Sequence, residues 1–340
     1  MSRERFDVVV VGAGPGGMAA AALAAEGGCK VCLLDDNPAT GGQIWRGYDR
    51  SSTAHTPQEF AFLRWVRRLD ESGSAVWNSA RVVTAPGLNL LRVERLDTCV
   101  DVHYEKLILA TGARERFLPF PGWTLPGVFG VGAAQALVKG GLDPRGKRVV
   151  VAGSGPLLLA AAAGLAGAGT QITMIAEQAS LESLIHFGGF MLARHPGKII
   201  EGAQYRWKLR KVPYKHGSWV VRAEGQERVE RVTLRVNDSE QTIACDWLAC
   251  AYHLVPNLEL PQLLRCKIEG GYVTVDDLQR SSAENILCIG ELTGIGGLEK
   301  ALVEGQIAGS VAVGRTTEAR EMTPELHRMR RFAQRLDEAF

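Results

Sequence analysis

The chain has 340 residues, with 39 Lys and Arg against 37 Asp and Glu, so its formal net charge is +2. Hydrophobic residues make up 46% and charged residues 22%, which excludes a fibrous or disordered chain and predicts a soluble globular protein of about two domains. This near-neutral balance gives no electrostatic case for nucleic acid as a partner.

Cysteine usage and hydropathy predict the compartment. The seven cysteines are scattered and odd in number, which argues against a secreted disulfide framework. The longest alanine-rich run, Gly16 to Ala25, is far shorter than the roughly 20 apolar residues of a spanning helix. The N-terminus has no apolar core long enough for a signal peptide. We therefore expect a cytoplasmic protein with no membrane span.

The first predicted unit consists of a strand, a glycine-rich loop, a helix and a second strand that ends in an acidic residue. Val8 to Val11 is a continuous apolar run, as in buried parallel strands, and Gly12 to Gly17 follow it in a G-x-G-x-x-G pattern. Met18 to Glu26 are strong helix formers, Lys30 to Leu34 form the next strand, and Asp35 ends it. Because the glycine motif carries this full context, it predicts a dinucleotide site instead of a chance turn.

The glycines and the acidic residue of this unit each have a structural role. Gly12 allows the tight turn, Gly14 lets a pyrophosphate approach the backbone, and Gly17 lets the helix pack close to the sheet. The helix N-terminus offers free N–H groups to phosphate, and Asp35 is placed to hold ribose hydroxyls. Further along, Ser74 to Glu105 alternate and predict a β-meander, and Leu107 to Ala113 predict another buried strand.

The same unit recurs 141 residues later. Arg148 to Ala152 predict a strand, Gly153 to Leu158 the glycine loop, and Gln171 to Ile175 the second strand. Residues Gly217 to Cys245 alternate and predict a second meander. The predicted fold is therefore α/β, with two Rossmann-like dinucleotide-binding domains, each with an inserted β-meander.

The second copy departs from the pattern. Leu158 replaces the third glycine, and by spacing Ala176 takes the place of Asp35, with Glu177 one residue later. The absence of Lys and Arg between Ile175 and Leu184 disfavours NADPH. Two alternatives stay open: a second adenine-nucleotide site, or a domain that kept its fold and lost its ligand. If a site exists, its residues are Gly153, Gly155, Pro156 and Glu177.

Other segments are interpreted as structural. The pair Cys29 and Cys32 is interpreted as core cysteine, because positions three apart on a strand face opposite ways. Tyr205 to Lys211 is basic and aromatic, which favours a solvated strand face, with a partner-docking surface as the next option. His253 is more often structural than flavin-contacting at such a position. The stripe from Leu326 to Phe340 is interpreted as a packing face and also as a candidate docking surface.

These motifs resemble those of the two-dinucleotide-domain flavoproteins, the group that includes thioredoxin reductase. The matching segments are Gly12 to Gly17 with Asp35, Gly41 to Gln43, Ala110 to Gly112, and Asn285 to Glu291. The resemblance implies FAD in the first domain, with Glu291 where the family usually has Asp. The implied cofactor-binding residues are Gly12, Gly14, Pro15, Gly17, Asp35, Asp36, Gly42, Gln43, Ala110, Thr111, Gly112, Gly290 and Glu291.

The string from Ala110 to Trp123, together with Asp35 to Arg46, resembles a narrower subgroup, the heteromeric amine dehydrogenases. These include the B subunits of hydrogen cyanide synthases, the A subunits of octopine and nopaline oxidases, and the α subunits of hydroxyproline and proline dehydrogenases. In the subgroup a leucine at the position of Leu158 is normal. The second nucleotide site of its proline dehydrogenase members is thought to hold ATP instead of NAD.

The resemblance implies partners. Such subunits work beside a second, catalytic flavoprotein subunit that oxidises an amino acid or opine at its C–N bond, and an iron–sulphur centre passes the electrons. Longer members continue into a cysteine-rich 2Fe-2S domain, whereas no cysteine follows Cys288 here, so we expect a small 2Fe-2S subunit. The predicted domains are residues 1–118 with 283–340, which bind FAD, and residues 119–282.

Three functions are compatible with these features. The first is the FAD-binding subunit of a heteromeric amino-acid or opine dehydrogenase with an electron acceptor other than NADP. The second is a stand-alone NADH-dependent flavoprotein reductase, and the third a non-catalytic nucleotide-binding assembly subunit. The sequence offers no convincing general base and no H-x-x-x-H metal spacing, so catalytic residues stay unassigned and no metal is expected.

Overall fold

The computed structural model describes residues 2–50 and 53–340. In chain order the helices are α1 (Pro15–Glu26), α2 (Pro57–Glu71), α3 (Val131–Lys139), α4 (Leu157–Gly167), α5 (Leu181–Arg194), α6 (Pro196–Lys208), α7 (Glu259–Leu263), α8 (Gly297–Ala312), α9 (Thr316–Glu321) and α10 (Thr323–Ala339), with a 3-10 turn at Gly290–Thr293.

The strands fall in both halves of the chain and alternate with these helices. They are β1 (Ser2–Val11), β2 (Val31–Leu34), β3 (Ala75–Trp77), β4 (Ala80–Gly87), β5 (Leu90–Arg95), β6 (Thr98–Leu109), β7 (Ala113–Glu115), β8 (Val128–Gly130), β9 (Arg148–Ser154), β10 (Gln171–Glu177), β11 (Tyr214–Lys215), β12 (Ser218–Glu224), β13 (Arg231–Val236), β14 (Ser239–Ala244), β15 (Trp247–Tyr252), β16 (Leu254–Pro256), β17 (Ile268–Glu269), β18 (Tyr272–Val273) and β19 (Ile286–Cys288).

Contacts divide the chain into two compact units. Unit 1 comprises the residues up to Arg114 with Pro256–Gln334, and unit 2 comprises Glu115–Val255 with Arg335–Phe340. The segment 256–282 therefore lies with unit 1, whereas the sequence placed it with the second domain. The physical reason is burial, because Cys266 and Val273 pack in the same apolar cluster as the strands of the first sheet.

Unit 1 contains a parallel sheet in the order β3-β2-β1-β6, with β19 beside the last residues of β6. The first half of β6 pairs antiparallel with β5, and β5 pairs with β4, so these three strands form the meander. Two details differ from the sequence-based prediction. β3 belongs to the parallel sheet, and β6 is one strand that serves both the sheet and the meander.

Helices α1 and α8 pack closely because their facing residues are small. A Cβ on Gly305 would collide with the carbonyl of Gly16, and a Cβ on Gly309 would lie 2.8 Å from the Ala20 oxygen. Glycine at these positions allows the two backbones to approach. The start of α8 is thereby held beside the start of α1, at the carboxyl ends of the first sheet's strands.

Unit 2 has a parallel sheet in the order β11-β10-β9-β15-β8 and a separate antiparallel meander, β12-β13-β14. The α/β fold with two Rossmann-like units, each with a β-meander, is therefore confirmed. In α10, by contrast, Leu326, Met329 and Phe332 are buried. The interpretation of the tail stripe as a docking surface is wrong, because these side chains already pack within the chain.

Candidate functional site

Four loops predicted to bind FAD meet at the carboxyl ends of β1, β6 and β19. The N–H of Gly41 donates to the Ala13 carbonyl at 2.8 Å, which joins the second loop to the glycine loop. The N–H of Ala110 donates to the Val11 carbonyl, also at 2.8 Å. A Cβ on Gly16 would lie 2.8 Å from the Ala301 oxygen, so α8 follows directly beside this loop. The fold thus brings together segments nearly 300 residues apart.

Three glycines of this region are required for different reasons. Gly12 has φ +106° and a Cβ there would collide with the Ala110 carbonyl, while a Cβ on Gly17 would collide with the Gly12 carbonyl. Gly14 differs, because among the described residues no atom lies within 4 Å of a Cβ built on it. Gly14 therefore faces open space, beside the N-terminus of α1, which begins at Pro15.

The second loop borders the same open space. A Cβ on Gly42 would lie only 2.9 Å from the Gly14 Cα, so this loop must pass the first one as bare backbone. Gln43 is exposed, whereas Trp45 is buried. The Trp45 Nε1–H is a buried donor for which residues 2–50 and 53–340 provide no acceptor. Buried donors of this kind are normally paired, which fits a loop built to contact a ligand or a bound water.

Asp35 ends β2 as predicted, and its carboxylate is nearly buried. It accepts hydrogen bonds from the backbone N–H of Ala13 and from the backbone and side chain of Asn37. Asp35 therefore ties the glycine loop to the end of β2. Asp36 is exposed and lines a shallow pocket of about 290 Å³ together with Ser79 and Arg81.

Reciprocal hydrogen bonds hold the chain where it leaves β6. The Thr111 hydroxyl donates to the Asn257 carbonyl at 2.9 Å, and the Asn257 side-chain amide donates to the Thr111 carbonyl at 2.8 Å. Arg114 pairs with Glu259 at 3.0 Å, which indicates a structural role for that arginine. Gly112 has φ +67° with open space at its Cβ position in the described structure. The exit at residues 110–112 is thus fixed by the segment that begins at Pro256.

Glu291 lies in the turn that follows β19. Its carboxylate accepts from the N–H groups of Gly296 and Gly297 at 3.1 and 2.9 Å, so it caps the start of α8. Burial raises the pKa of Glu291, although the Lys300 charge and these two N–H groups oppose the shift. A carboxylate placed here is what the resemblance implied, and the structure adds that it also organises the turn.

Sequence reasoning missed two residues of this region, Lys300 and Glu304 of α8. Their side chains form a fully buried ion pair directly below the Gly290–Thr293 turn, with Nζ and Oε1 3.0 Å apart. A Lys and a Glu four residues apart on a helix are ordinarily assigned to a solvated face. The residues on either side of Lys300 and Glu304 are mostly small or apolar, and this pattern could have indicated that the pair is buried.

These residues fit FAD. The glycine loop lies at a helix N-terminus and leaves open space at Gly14, and the backbone of Gly42 passes close to it. The indole N–H of Trp45 has no hydrogen-bond partner in the described structure. Gly12, Gly14, Pro15 and Gly42 would hold the pyrophosphate, and Asp35 or Asp36 the ribose. When bound, FAD supplies the two-electron chemistry that no side chain here provides.

In unit 2 a β-bulge changes which acid matches Asp35. The register between β10 and β9 shifts between Ile172 and Met174, so Ala176 pairs with Ala152 and Glu177 lies opposite Gly153. Glu177, not Ala176, therefore occupies the position equivalent to Asp35. It accepts from Gly155 N–H at 3.1 Å and from Ala179 N–H at 2.9 Å, and burial raises its pKa.

The second glycine loop is covered where the first is open. Gly153 still needs to be glycine, because a Cβ would collide with the Ala251 carbonyl. At Gly155, however, a Cβ would meet the ring of Phe340 at 3.7 Å. Phe340 also makes an edge-to-face contact with Phe187, with ring centroids 5.1 Å apart. Pro156 precedes α4, and Leu158 is fully buried in the unit's core.

Three further residues, His253, Cys32 and Arg46, contact other parts of the chain. The His253 Nε2 lies 3.1 Å from a carboxylate oxygen of Asp337, in the last turn of α10 and in the same unit. Cys32 is buried in β2, and burial raises the pKa of its thiol to about 12, which leaves it unreactive at neutral pH. The Arg46 guanidinium donates to the Asn37 side chain at 3.1 Å.

Helices α5 and α6 expose an unusual amount of apolar surface. Met191 is the buried side chain of α5, and none of the described side chains of α6 is buried. We call the α5–α6 surface the set of large apolar side chains that are more than half exposed: Leu181, Ile185, Leu192, Ile200 and Trp207. Residues 205–208 are thus helical, and the prediction of a strand there is wrong.

The sequence is similar to that of a known protein family and to those of two named enzyme subunits. Residues 6–316 match the family described as pyridine nucleotide-disulphide oxidoreductase. The chain is 31% identical to the A subunit of the opine oxidase of Rhizobium meliloti (strain 1021), over 89% of this chain and 70% of that protein. It is 32% identical to the hydrogen cyanide synthase subunit HcnB of Pseudomonas protegens, over 88% of this chain and 68% of that protein.

Solved structures show the same fold. Thioredoxin reductase of T. acidophilum superposes with a TM-score of 0.70 at 20% identity, covering 92% of this chain and 99% of that one. L-proline dehydrogenase from P. horikoshii superposes with a TM-score of 0.69 at 19% identity, covering 96% of this chain and 59% of that one. In the part of the chain that the structure describes, no helix has the length and apolar character needed to cross a membrane.

Proposed function

Because the chain belongs to the pyridine nucleotide-disulphide oxidoreductase family, a family of flavin-dependent oxidoreductases, we propose that it is the FAD-binding subunit of a heteromeric amino-acid or opine dehydrogenase. The observation that carries this proposal is the contrast between the two glycine loops. The loop of unit 1 is open at Gly14 in the described structure, whereas the loop of unit 2 is covered at Gly155 by Phe340. A chain with an open glycine loop in unit 1 and a covered one in unit 2 suits a subunit that exchanges electrons with a partner.

The proposed FAD site is the set of loops that meet in unit 1. The pyrophosphate lies against residues 12–17 and Gly42, with the dipole of α1 favouring its negative charge. Asp35 and Asp36 serve the ribose, and Gln43, residues 110–112, Gly290 and Glu291 border the rest of the cofactor. Two relatives are named as subunits of an opine oxidase and of a hydrogen cyanide synthase, which supports oxidation of an amino acid or opine at its C–N bond.

The proposed partner is a second, catalytic flavoprotein subunit, and the α5–α6 surface is its docking site. Large apolar side chains left exposed on two helices that pack against each other are typical of an interaction site. Residues 181–211 carry six Lys and Arg against two Glu, so the surface suits an acidic, apolar partner face and opposes a second copy of itself. A small 2Fe-2S subunit, with an acceptor other than NADP, completes the proposed electron path.

We propose that unit 2 keeps the dinucleotide-binding fold without an open site. ATP or NAD at Gly153, Gly155, Pro156 and Glu177 would have to displace the Phe340 ring, which a Cβ on Gly155 would meet at 3.7 Å. This disfavours the stand-alone NADH-dependent reductase. The competing function is that of a non-catalytic assembly subunit. Such a subunit would not transfer electrons, so the activity of the complex distinguishes the two functions.

The test is coexpression of this chain with and without the second flavoprotein subunit. We expect the isolated chain to bind FAD yet reduce no dye with any amino acid or opine. The assembled complex should reduce dye, and it should lose this activity when the FAD site of this chain is emptied by Gly14→Val. Dye reduction by this chain alone at the rate of the complex contradicts the proposal. A complex that keeps full activity with Gly14→Val identifies an assembly subunit.

A further inference from the structure

The ion pair of Lys300 and Glu304 is buried almost completely, with 1% and 0% of the side chains exposed. Removing two charges from water is costly, and a well-packed apolar pair of similar volume is often as stable or more so. The pair therefore needs an explanation other than stability. Its remaining hydrogen bonds supply one, because they converge on the single turn between β19 and α8.

Lys300 and Glu304 both bond to the backbone of Gly290. The Glu304 carboxylate accepts from the Gly290 N–H at 2.7 Å, and the Lys300 ammonium donates to the Gly290 carbonyl at 2.8 Å. Lys300 also donates to the Thr293 hydroxyl at 2.7 Å, and that hydroxyl donates to Glu304 at 2.8 Å. The orientation of the Gly290 residue is thereby fixed by two opposite charges.

The Lys300 side chain explains one glycine of the following loop, Gly296, whereas Gly294 and Gly297 have φ +130° and +77°, which favour glycine. A Cβ on Gly296 would collide with the Lys300 Cδ, and a Cβ on Gly294 would lie 4.0 Å from its Cε. The loop from Gly290 to Gly297 is folded around the lysine stem, and Glu291 closes its far end by capping α8. The lysine thus contacts the segment that carries Gly290 and Glu291 at Gly290, Thr293 and Gly296.

We propose that Lys300 and Glu304 are positioning residues of the flavin site, which hold the turn at Gly290 and Glu291 in the conformation that receives FAD. This inference rests on the proposed function, in which that turn borders the cofactor. A buried ion pair fixes direction as well as distance, since the carboxylate accepts from the Gly290 N–H while the ammonium, together with the Thr293 hydroxyl, donates to the Gly290 carbonyl. An apolar pair would hold the same volume without setting this orientation.

The test compares apoprotein variants for FAD affinity, flavin spectrum and thermal stability. Lys300→Met and Glu304→Gln each leave one buried charge without its partner, so both should unfold at lower temperature. The double variant removes both charges and should regain thermal stability. Glu299→Gln, at an exposed position of the same helix, is the matched control. Thr293→Val keeps the shape of the turn and both charges, and provides a mild variant that should fold.

We expect the double variant to bind FAD on the order of tenfold more weakly than the wild type, with a shifted flavin absorption band, despite its recovered stability. Thr293→Val should shift the band in the same direction by less, and Glu299→Gln should match the wild type. If the wild type binds FAD and the folded variants bind it with unchanged affinity and spectrum, the pair is only structural and the inference is wrong. A wild-type chain that binds no FAD contradicts the proposed function itself.

Discussion

Gly17 stands so close to Gly12 that a Cβ on Gly17 would collide with the Gly12 carbonyl oxygen, and this contact sets how near α1 lies to the first sheet. Gly14, between them, has open space at the same position in the described structure. Substitution of Gly14 should therefore impair cofactor binding, whereas substitution of Gly17 should impair folding.

Gly14→Val should fold but lose FAD. The backbone at Gly14 has φ −71°, which valine adopts without strain, so the free energy of unfolding of the apoprotein should fall by less than about 1 kcal/mol. The side chain would occupy the space proposed for the pyrophosphate. The purified protein should be colourless, as measured by its flavin absorption. Gly188→Ala, at an open position of α5, is the control and should stay yellow. A Gly14→Val protein with full flavin content would falsify the assignment of this loop.

Gly17→Ala should instead disturb the fold. Its added methyl cannot be accommodated without moving α1 away from the turn at Gly12, which we expect to lower the free energy of unfolding by about 3 kcal/mol or more. Denaturant unfolding of the apoprotein measures this directly. An unchanged unfolding midpoint would show that α1 moves freely relative to the loop, against the packing described above.

NADH should reduce the bound flavin slowly at best, and NADPH not at all. The ring of Phe340 covers Gly155, and Leu158 replaces the third glycine of the second loop. Stopped-flow mixing with NADH checks the first point, and rapid stoichiometric bleaching of the flavin would support the reductase hypothesis instead.

Phe340→Ala should uncover Gly155. We expect NAD or ATP to bind this variant on the order of tenfold more tightly than the wild type, as measured by calorimetry, because the ring no longer competes for the loop. Phe60→Ala, which removes an exposed ring from unit 1, is the control. If Phe340→Ala gains no affinity, the loop itself, with Leu158 in its core, excludes the nucleotide.

Glu177 should make the stability of unit 2 depend on pH. Burial raises its pKa above 4.5, although N–H groups of Ala179 and Gly155 oppose the shift. The folded state then holds the proton to higher pH than the unfolded state, so the contribution of Glu177 to stability declines as pH rises from about 4.5 through the folded-state pKa. Glu177→Gln cannot titrate. The difference in unfolding free energy, wild type minus Glu177→Gln, should therefore fall over that window, and a flat difference would contradict the raised pKa.

The α5–α6 surface should be needed for assembly and not for FAD binding. Leu192→Asp places a charge on an exposed apolar position, so copurification with the second subunit should be lost while flavin content is kept. Leu88→Asp is the matched control, because Leu88 is 93% exposed in the meander of unit 1. Equal copurification of both variants would exclude this surface as the docking site.

The sequence alone predicted the features that depend on local stereochemistry. Gly12, Gly17 and Gly153 are required because backbone carbonyls approach them, and such glycines stand out at fixed offsets from a strand. The continuous apolar runs of β1 and β9 predicted buried parallel strands, because both faces of such strands are covered. The repeated order of strand, loop and helix was enough to predict two α/β units.

Only the tertiary structure decided the features that depend on register and on distant partners. Counting residues placed Ala176 at the position of Asp35, but a bulge in β10 moved Glu177 there, since one extra residue shifts every later pairing. Lys300 and Glu304 are spaced like a surface pair, and their burial follows from the Gly290–Thr293 turn, which lies against both side chains. The contact of Phe340 with Gly155 joins residues 185 positions apart, and no local pattern encodes which distant surface a side chain will cover.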